Sequence, residues 1–183
     1  MHDAPKGTRA RGRELALLAL CHVESYPSEQ RELAVPLLWE NPPRGDDSGL
    51  EELVGDGAAR AFAEQLLGKV ITRWHELDQL IEATSRTWRL SRMDRVDRNV
   101  LRLAAAELAH DEQTPRAVVL AEAVRLASRY GSERSAPFVN GLVEALAIEL
   151  RAPRGEVQKG TEPDENSEPN VGTDGTPTSG RAS

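Results

Sequence analysis

The sequence predicts an all-α protein, a compact helical bundle, and three observations carry that expectation. Only 4% of the 183 residues are aromatic, so the core must be built of Leu, Val and Ala, whereas sheets recruit aromatic and β-branched residues. The stretch DRVDRNVLRLAAAELAH, Asp94 to His110, is apolar on most sides from Val100 onward, and such a helix has to be enclosed by neighbours. Phe62, Leu66, Val70, Trp74, Leu77 and Ile81 repeat at spacings of three and four, the period of an amphipathic helix.

Taken in order, Arg9 to about Ser25 is expected to be helical, its leucines too dense for one exposed stripe, with Pro27 ending it. Arg31 to Glu40 reads as a short helix interrupted or restarted at Pro36, with Leu33, Leu37, Leu38 and Trp39 supplying apolar contacts. Asn41–Gly57 carries paired prolines and four glycines, a surface loop with room for one turn at Leu50–Val54. A single long helix is expected from Ala58 to about Thr87. The central helix follows, Ser91 and Asp94 giving it a capping-box-like start. Thr114 and Pro115 suit the opening of the next helix, which runs to Tyr130, and Gly131 suits a left-handed stop. Ser135 opens a last helix, with Pro137 in its first turn. Gly141 there costs roughly 1 kcal/mol against alanine, which points to close packing.

The chain divides by composition into a flexible basic N-terminus at 1–8, a helical domain at 9–151 and a disordered acidic tail at 152–183. That tail is too poor in large apolar residues to order itself. With 39% hydrophobic and 29% charged residues, the chain has the makeup of a globular protein. Its longest apolar run, Leu15 to Cys21, falls far short of the roughly 20 residues that span a bilayer. One cysteine excludes an internal disulfide, and the cytoplasm is the expected compartment. The formal net charge of −7 argues against a generally basic nucleic-acid binder, yet the charge is uneven. Basic residues crowd the start and acidic ones the end.

Catalysis has little support. Cys21 and His22 are adjacent and diverge on a helix. No spacing of His, Cys and carboxylates suits zinc, and no Gly-rich loop holds a phosphate. No enzyme activity, cofactor or metal is expected. The basic start, Lys6, Arg9, Arg11 and Arg13, is more informative, because cations at a helix N-terminus oppose the macrodipole. Two readings stay open on these residues: a solvated basic end, or a surface for an anionic partner such as RNA.

Three stretches together resemble the NusB family of transcription antitermination factors: TRARGRELALLAL, WRLSRMDRVDRNVLRLAAAEL and AEAVRLASRYGSERSAPFVNGLVEAL. The FVNG element at Phe138–Gly141, just after a Tyr-Gly helix stop, is the most specific piece. The resemblance implies about seven helices in two subdomains and a non-catalytic adaptor. It also implies partners: NusE, a small-subunit ribosomal protein, boxA RNA of nascent ribosomal transcripts, and the RNA polymerase antitermination complex. Self-association into a homodimer is known among such proteins, and no membrane is involved. In that scheme Arg9, Arg11 and Arg13, with Lys6, face RNA, as do Arg134, Ser135 and Phe138, while Asp97 belongs to the NusE surface. The chain departs from the family pattern at Cys21, where an aromatic residue is usual, and at Arg134, which is acidic in some relatives.

Two alternatives belong to other classes. One is a NusB-like RNA-binding module of ribosomal RNA methyltransferases, which would require a catalytic domain. The other is a helix-turn-helix DNA-binding protein built on LAHDEQTPRAVVLAEAV, whose second helix offers valines and leucine where base-reading polar residues are wanted.

Overall fold

The leucine- and alanine-rich segments form eight α-helices, and there is no strand among the described residues. The structure, a computed structural model, describes residues 7–42, 50–85 and 88–151, all within one compact unit. Lys6 and the segment 152–183 lie outside the described residues. The helices are α1 (Thr8–Val23), α2 (Arg31–Glu40), α3 (Leu50–Gly55), α4 (Gly57–Thr72), α5 (Trp74–Thr84), α6 (Arg95–His110), α7 (Arg116–Tyr130) and α8 (Ser135–Arg151).

Helix α6 is the central post. It packs against α1, α4, α5, α7 and α8, and residues Asn99 through Leu108 are all buried. Helices α1 to α4 group on one side and α5, α7 and α8 on the other, which is the expected two-subdomain arrangement. Burying each of the leucines Leu15, Leu17, Leu20 and Leu101, all at 0% exposure, stabilises the fold by roughly 1.5–3 kcal/mol.

Helix α1 crosses α4 at Gly12. A Cβ there would lie 2.6 Å from Phe62 Cδ1 and 2.8 Å from the Ala59 carbonyl oxygen, so only glycine lets the two backbones approach.

Several local expectations are corrected. The long helix from Ala58 breaks at Arg73 (φ −114°, ψ 22°) into α4 and α5. No Pro or Gly marks the break. Helix α4 packs chiefly on α1, while α5 packs on α6, and Trp74 at the corner is gripped between Arg31 and Arg102, 3.9 and 4.1 Å from its ring centre. Helix α2 runs through Pro36 without interruption, and its Leu33 and Leu37 point outward, 69% and 57% exposed. Of the surface loop expected at 41–57, residues 43–49 lie outside the described residues, and the turn expected at Leu50–Val54 is the short helix α3.

The start of α6 has no side-chain cap from Asp94, and Ser91 sits in a preceding 3₁₀ turn. Thr114 does not cap α7. It is buried and donates to Asp111 Oδ2 at 2.8 Å, and Pro115 holds the cap position. Gly131 is extended, not left-handed (φ −92°, ψ −169°). A side chain there would overlap Ser135 and the Ala127 carbonyl. Gly141 is exposed, with open space where a Cβ would go, so close packing does not explain it.

Candidate nucleic-acid interface

The basic start of α1 separates into three environments. Arg9 is exposed, its guanidinium 5.9 Å from the Phe62 ring centre, and it has no carboxylate partner among the described residues. Arg11 is held by Asp56 at 2.9 Å and Glu52 at 3.4 Å. Asp56 also caps α4 by accepting from the Ala59 N–H, so Arg11 ties α1 to that helix start.

Arg13 is buried. Its Nε and Nη2 donate to both oxygens of Glu107 at 2.9 and 2.6 Å, and its guanidinium lies 5.3 Å from the Phe62 centre. The expectation that Arg9 and Arg13 share an RNA-facing surface is therefore corrected. Helical spacing put both on one side, but at Arg13 that side meets α6.

The same helix supplies two further networks that pattern reading missed. Glu14 is buried and accepts from Tyr130 Oη at 2.5 Å, with Arg129 at 2.7 Å and Arg125 at 3.5 Å. Burial and the Glu14 bond push the Tyr130 hydroxyl up to about 12. This cluster fastens the beginning of α1 to the last turn of α7, just before the Ser132–Arg134 turn. At the other end of α1, Glu24 receives Arg98 at 2.5 Å, Arg102 at 2.7 Å and Asn99 at 3.2 Å. Burial acts to raise the Glu24 carboxyl, but the two arginine bonds outweigh it and hold it below its ordinary value. Cys21 lies beside this network, 3.7 Å from Asn99 Nδ2, and burial pushes its thiol up.

The residues expected near FVNG divide in the same way. Arg134 is exposed and has no carboxylate partner among the described residues. Ser135 is 1% exposed. Its hydroxyl accepts the Ser132 N–H at 2.9 Å and also faces Asp97. Ser135 shapes the turn instead of meeting a ligand, which corrects its assignment to the RNA surface. Phe138 is half-buried and meets Trp88 edge-on, ring centres 6.5 Å apart. Asp97 is 6% exposed and lines a cleft with Trp88, Arg92, Arg134 and Phe138. Burial and nearby Asp94 push its carboxyl above its ordinary value, against the Ser135 bond. A partner reaches Asp97 only by inserting into that cleft.

Thus the structure brings Arg134, Phe138 and Asp97 together and adds Trp88 and Arg92, which were not singled out. The signal was present in the string WRLSR, an aromatic residue among arginines. Whether such a tryptophan faces solvent or core cannot be read from spacing in a segment between helices. Among the described residues, no group of His, Cys, Asp and Glu is placed to hold a metal ion, and no helix is long and apolar enough to cross a membrane. Val118 projects outward from α7 at 41% exposure, an apolar side chain where a DNA-reading helix wants a polar one.

The NusB family model matches residues 10–147. The transcription antitermination protein NusB of Sorangium cellulosum is 43% identical over 144 residues, 79% of this chain and 94% of that protein. Its counterpart from Myxococcus xanthus is 41% identical, covering 80% and 99%. Among solved structures, T. maritima NusB superposes with a TM-score of 0.59 at 31% identity, over 79% of this chain and 94% of that one. A chain from a complex described as antitermination factors NusB and NusE with dsRNA gives a TM-score of 0.56 at 26% identity, over 78% and 97%. With the all-helical fold, the central α6 and the FVNG element all in place, the chain belongs to the NusB family.

Proposed function

We propose that this protein is a transcription antitermination adaptor. In this reading it binds the boxA segment of nascent ribosomal transcripts together with NusE, in the cytoplasm and without catalysis, as part of the RNA polymerase antitermination complex. The observation that carries the reading is the surface around Phe138, where Arg134 and Arg92 stand free of carboxylate partners among the described residues beside an exposed aromatic ring. Free guanidinium groups capture phosphates, and exposed rings stack on unpaired bases. Arg9, at the start of α1, adds a further exposed cation. A family relative crystallised with NusE and RNA supports the choice of partners. Asp97 serves NusE in this scheme only if a NusE side chain enters its cleft.

A mobility shift with purified NusE and boxA RNA tests the proposal. Binding should be tightened by NusE and weakened by salt. Arg9→Ala and Arg134→Ala should each lower the slope of log affinity against log salt by about 0.7, one phosphate contact to a single strand. Binding that is absent with NusE present, or indifferent to both substitutions, overturns it.

A further inference from the structure

A groove of about 400 Å³ runs between α2 and α4, and none of its residues belongs to the surface around Phe138. Val35, Pro36 and Trp39 of α2 and Leu67 and Ile71 of α4 give it an apolar lining. Trp39 is 9% exposed, yet its Nε1–H has no acceptor among the described residues. A buried donor left open costs free energy that a carbonyl brought into the groove would recover. Gly68 also lines the groove. It is exposed in mid-helix, and a Cβ there would meet nothing within 4 Å. Glycine weakens a helix interior, and among the described residues no neighbour requires it here. Its effect is to keep the groove open.

The rim is acidic. Glu32 and Glu40 come from α2 and Glu64 from α4, and Arg60, the one cation among the lining residues, is held by Glu64 at 3.2 Å. Leu33 and Leu37, each following a lining residue of α2, are largely exposed, so the apolar surface of that helix extends beyond the cavity.

These features choose among occupants. RNA brings phosphates, which the carboxylates repel. A second copy of the chain carries a formal net charge of −7, which opposes docking on an acidic rim. Of the chain's own segments outside the described residues, 1–6, 43–49, 86–87 and 152–183, none pairs a large apolar residue with an excess of cations. A small molecule in the cavity leaves Leu33 and Leu37 uncovered. A basic peptide with an apolar anchor satisfies the lining, the indole and the rim at once.

We propose that the groove between α2 and α4 docks a basic segment of a protein partner. An apolar side chain of that segment sits against Trp39, a carbonyl accepts the indole N–H, and lysines or arginines lie along Glu32, Glu40 and Glu64. Amphipathic helices occupy apolar grooves in this manner. The site is separate from the RNA-binding reading and does not depend on it.

The probe is a short fluorescein-labelled helical peptide of leucine and lysine, compared with one version carrying glutamate for lysine and another carrying serine for leucine. Each is titrated onto the full chain by fluorescence anisotropy. NMR of isotope-labelled protein follows the indole N–H resonances, with Trp39 assigned through Trp39→Phe. The leucine-lysine peptide should bind and move the Trp39 resonance, and both control peptides should bind far more weakly. Glu32→Lys together with Glu40→Lys should weaken binding roughly tenfold, the reversal of two exposed ion pairs. Gly68→Leu fills the groove without altering charge. It should abolish peptide binding, leave RNA binding with NusE unchanged, and keep or raise the melting temperature. Should Gly68→Leu fail to fold, the charge-reversal pair carries the test.

The site is overturned if the leucine-lysine peptide does not bind, if all three peptides bind alike, or if binding survives in folded Gly68→Leu. A Trp39 resonance that stays still while the peptide binds places the occupant elsewhere and also overturns it. So does a Trp39 resonance that moves with single-stranded RNA, or a dimer in sedimentation that Gly68→Leu dissolves. The adaptor reading falls separately, if the native protein with NusE binds no boxA RNA.

Discussion

Arg13 and Glu107, 94 positions apart in the chain, form a bidentate ion pair at 2.6 and 2.9 Å in the interior between α1 and α6. The pair decides how much of the arginine-rich start is available to RNA. One arginine is spent inside, one is bound to α4, and Arg9 is exposed, with no carboxylate partner among the described residues.

Removing one member of a buried pair leaves an uncompensated charge. Arg13→Ala should therefore destabilise the fold by about 3–5 kcal/mol, whereas Arg9→Ala should stay within about 0.5 kcal/mol of the native protein. Urea denaturation followed by circular dichroism separates them. Equal stability of the two variants would contradict the burial of Arg13.

Glu24 gathers Arg98, Arg102 and Asn99 at the junction of α1 and α6. Its folded-state value lies below the ordinary 4.5, so the native state binds this proton less tightly than the unfolded chain. The stabilisation it contributes is complete above pH 4.5 and is lost as pH falls through the lower folded value. Glu24→Gln should cost on the order of 3 kcal/mol at neutral pH and flatten this part of the acid limb. Stability measured by denaturant titration from pH 7 down to 3 reads both effects.

At Gly12 any side chain meets Phe62 and the Ala59 carbonyl. Gly12→Ala gains helix propensity, but it must push α1 and α4 apart, and overpacking of this kind costs typically about 1–3 kcal/mol. A raised melting temperature in that variant would show that the crossing is looser than described.

Asp97 should behave in the opposite sense to Glu24. Burial and Asp94 raise its carboxyl above the ordinary 3.8, against the Ser135 bond, so the native state holds the proton more tightly than the unfolded chain. Stability contributed there is present at low pH and lost as pH rises through the folded value. Asp97→Asn should thus stabilise the protein at pH 7, by about 0.5–2 kcal/mol if it resembles other such relieved sites. The gain should vanish below pH 3.8. Paired melts at pH 7 and pH 3 check the sign, and a gain alongside weakened ligand binding would mark a site kept at the expense of stability.

Much of the molecule was legible in one dimension. The apolar band around Val100 to Leu108 required enclosure and became the buried centre of α6. The heptad-like spacing from Phe62 to Ile81 described a continuous amphipathic helix, and it was right about the inward face but silent about the break at Arg73. Periodicity records which side of a helix is buried, not whether the axis turns to meet a different neighbour.

The site shows the same limit. By itself the chain determined the helical class, the central post and the family, because hydrophobic period, composition and local motifs are properties of neighbouring residues. Only the tertiary structure decided that Arg13 belongs to Glu107, that Ser135 turns inward, and that Trp88 and Arg92 join Phe138 around Asp97. Those outcomes depend on which distant carboxylate or ring the fold brings within a few ångströms, and spacing along the chain carries no record of that.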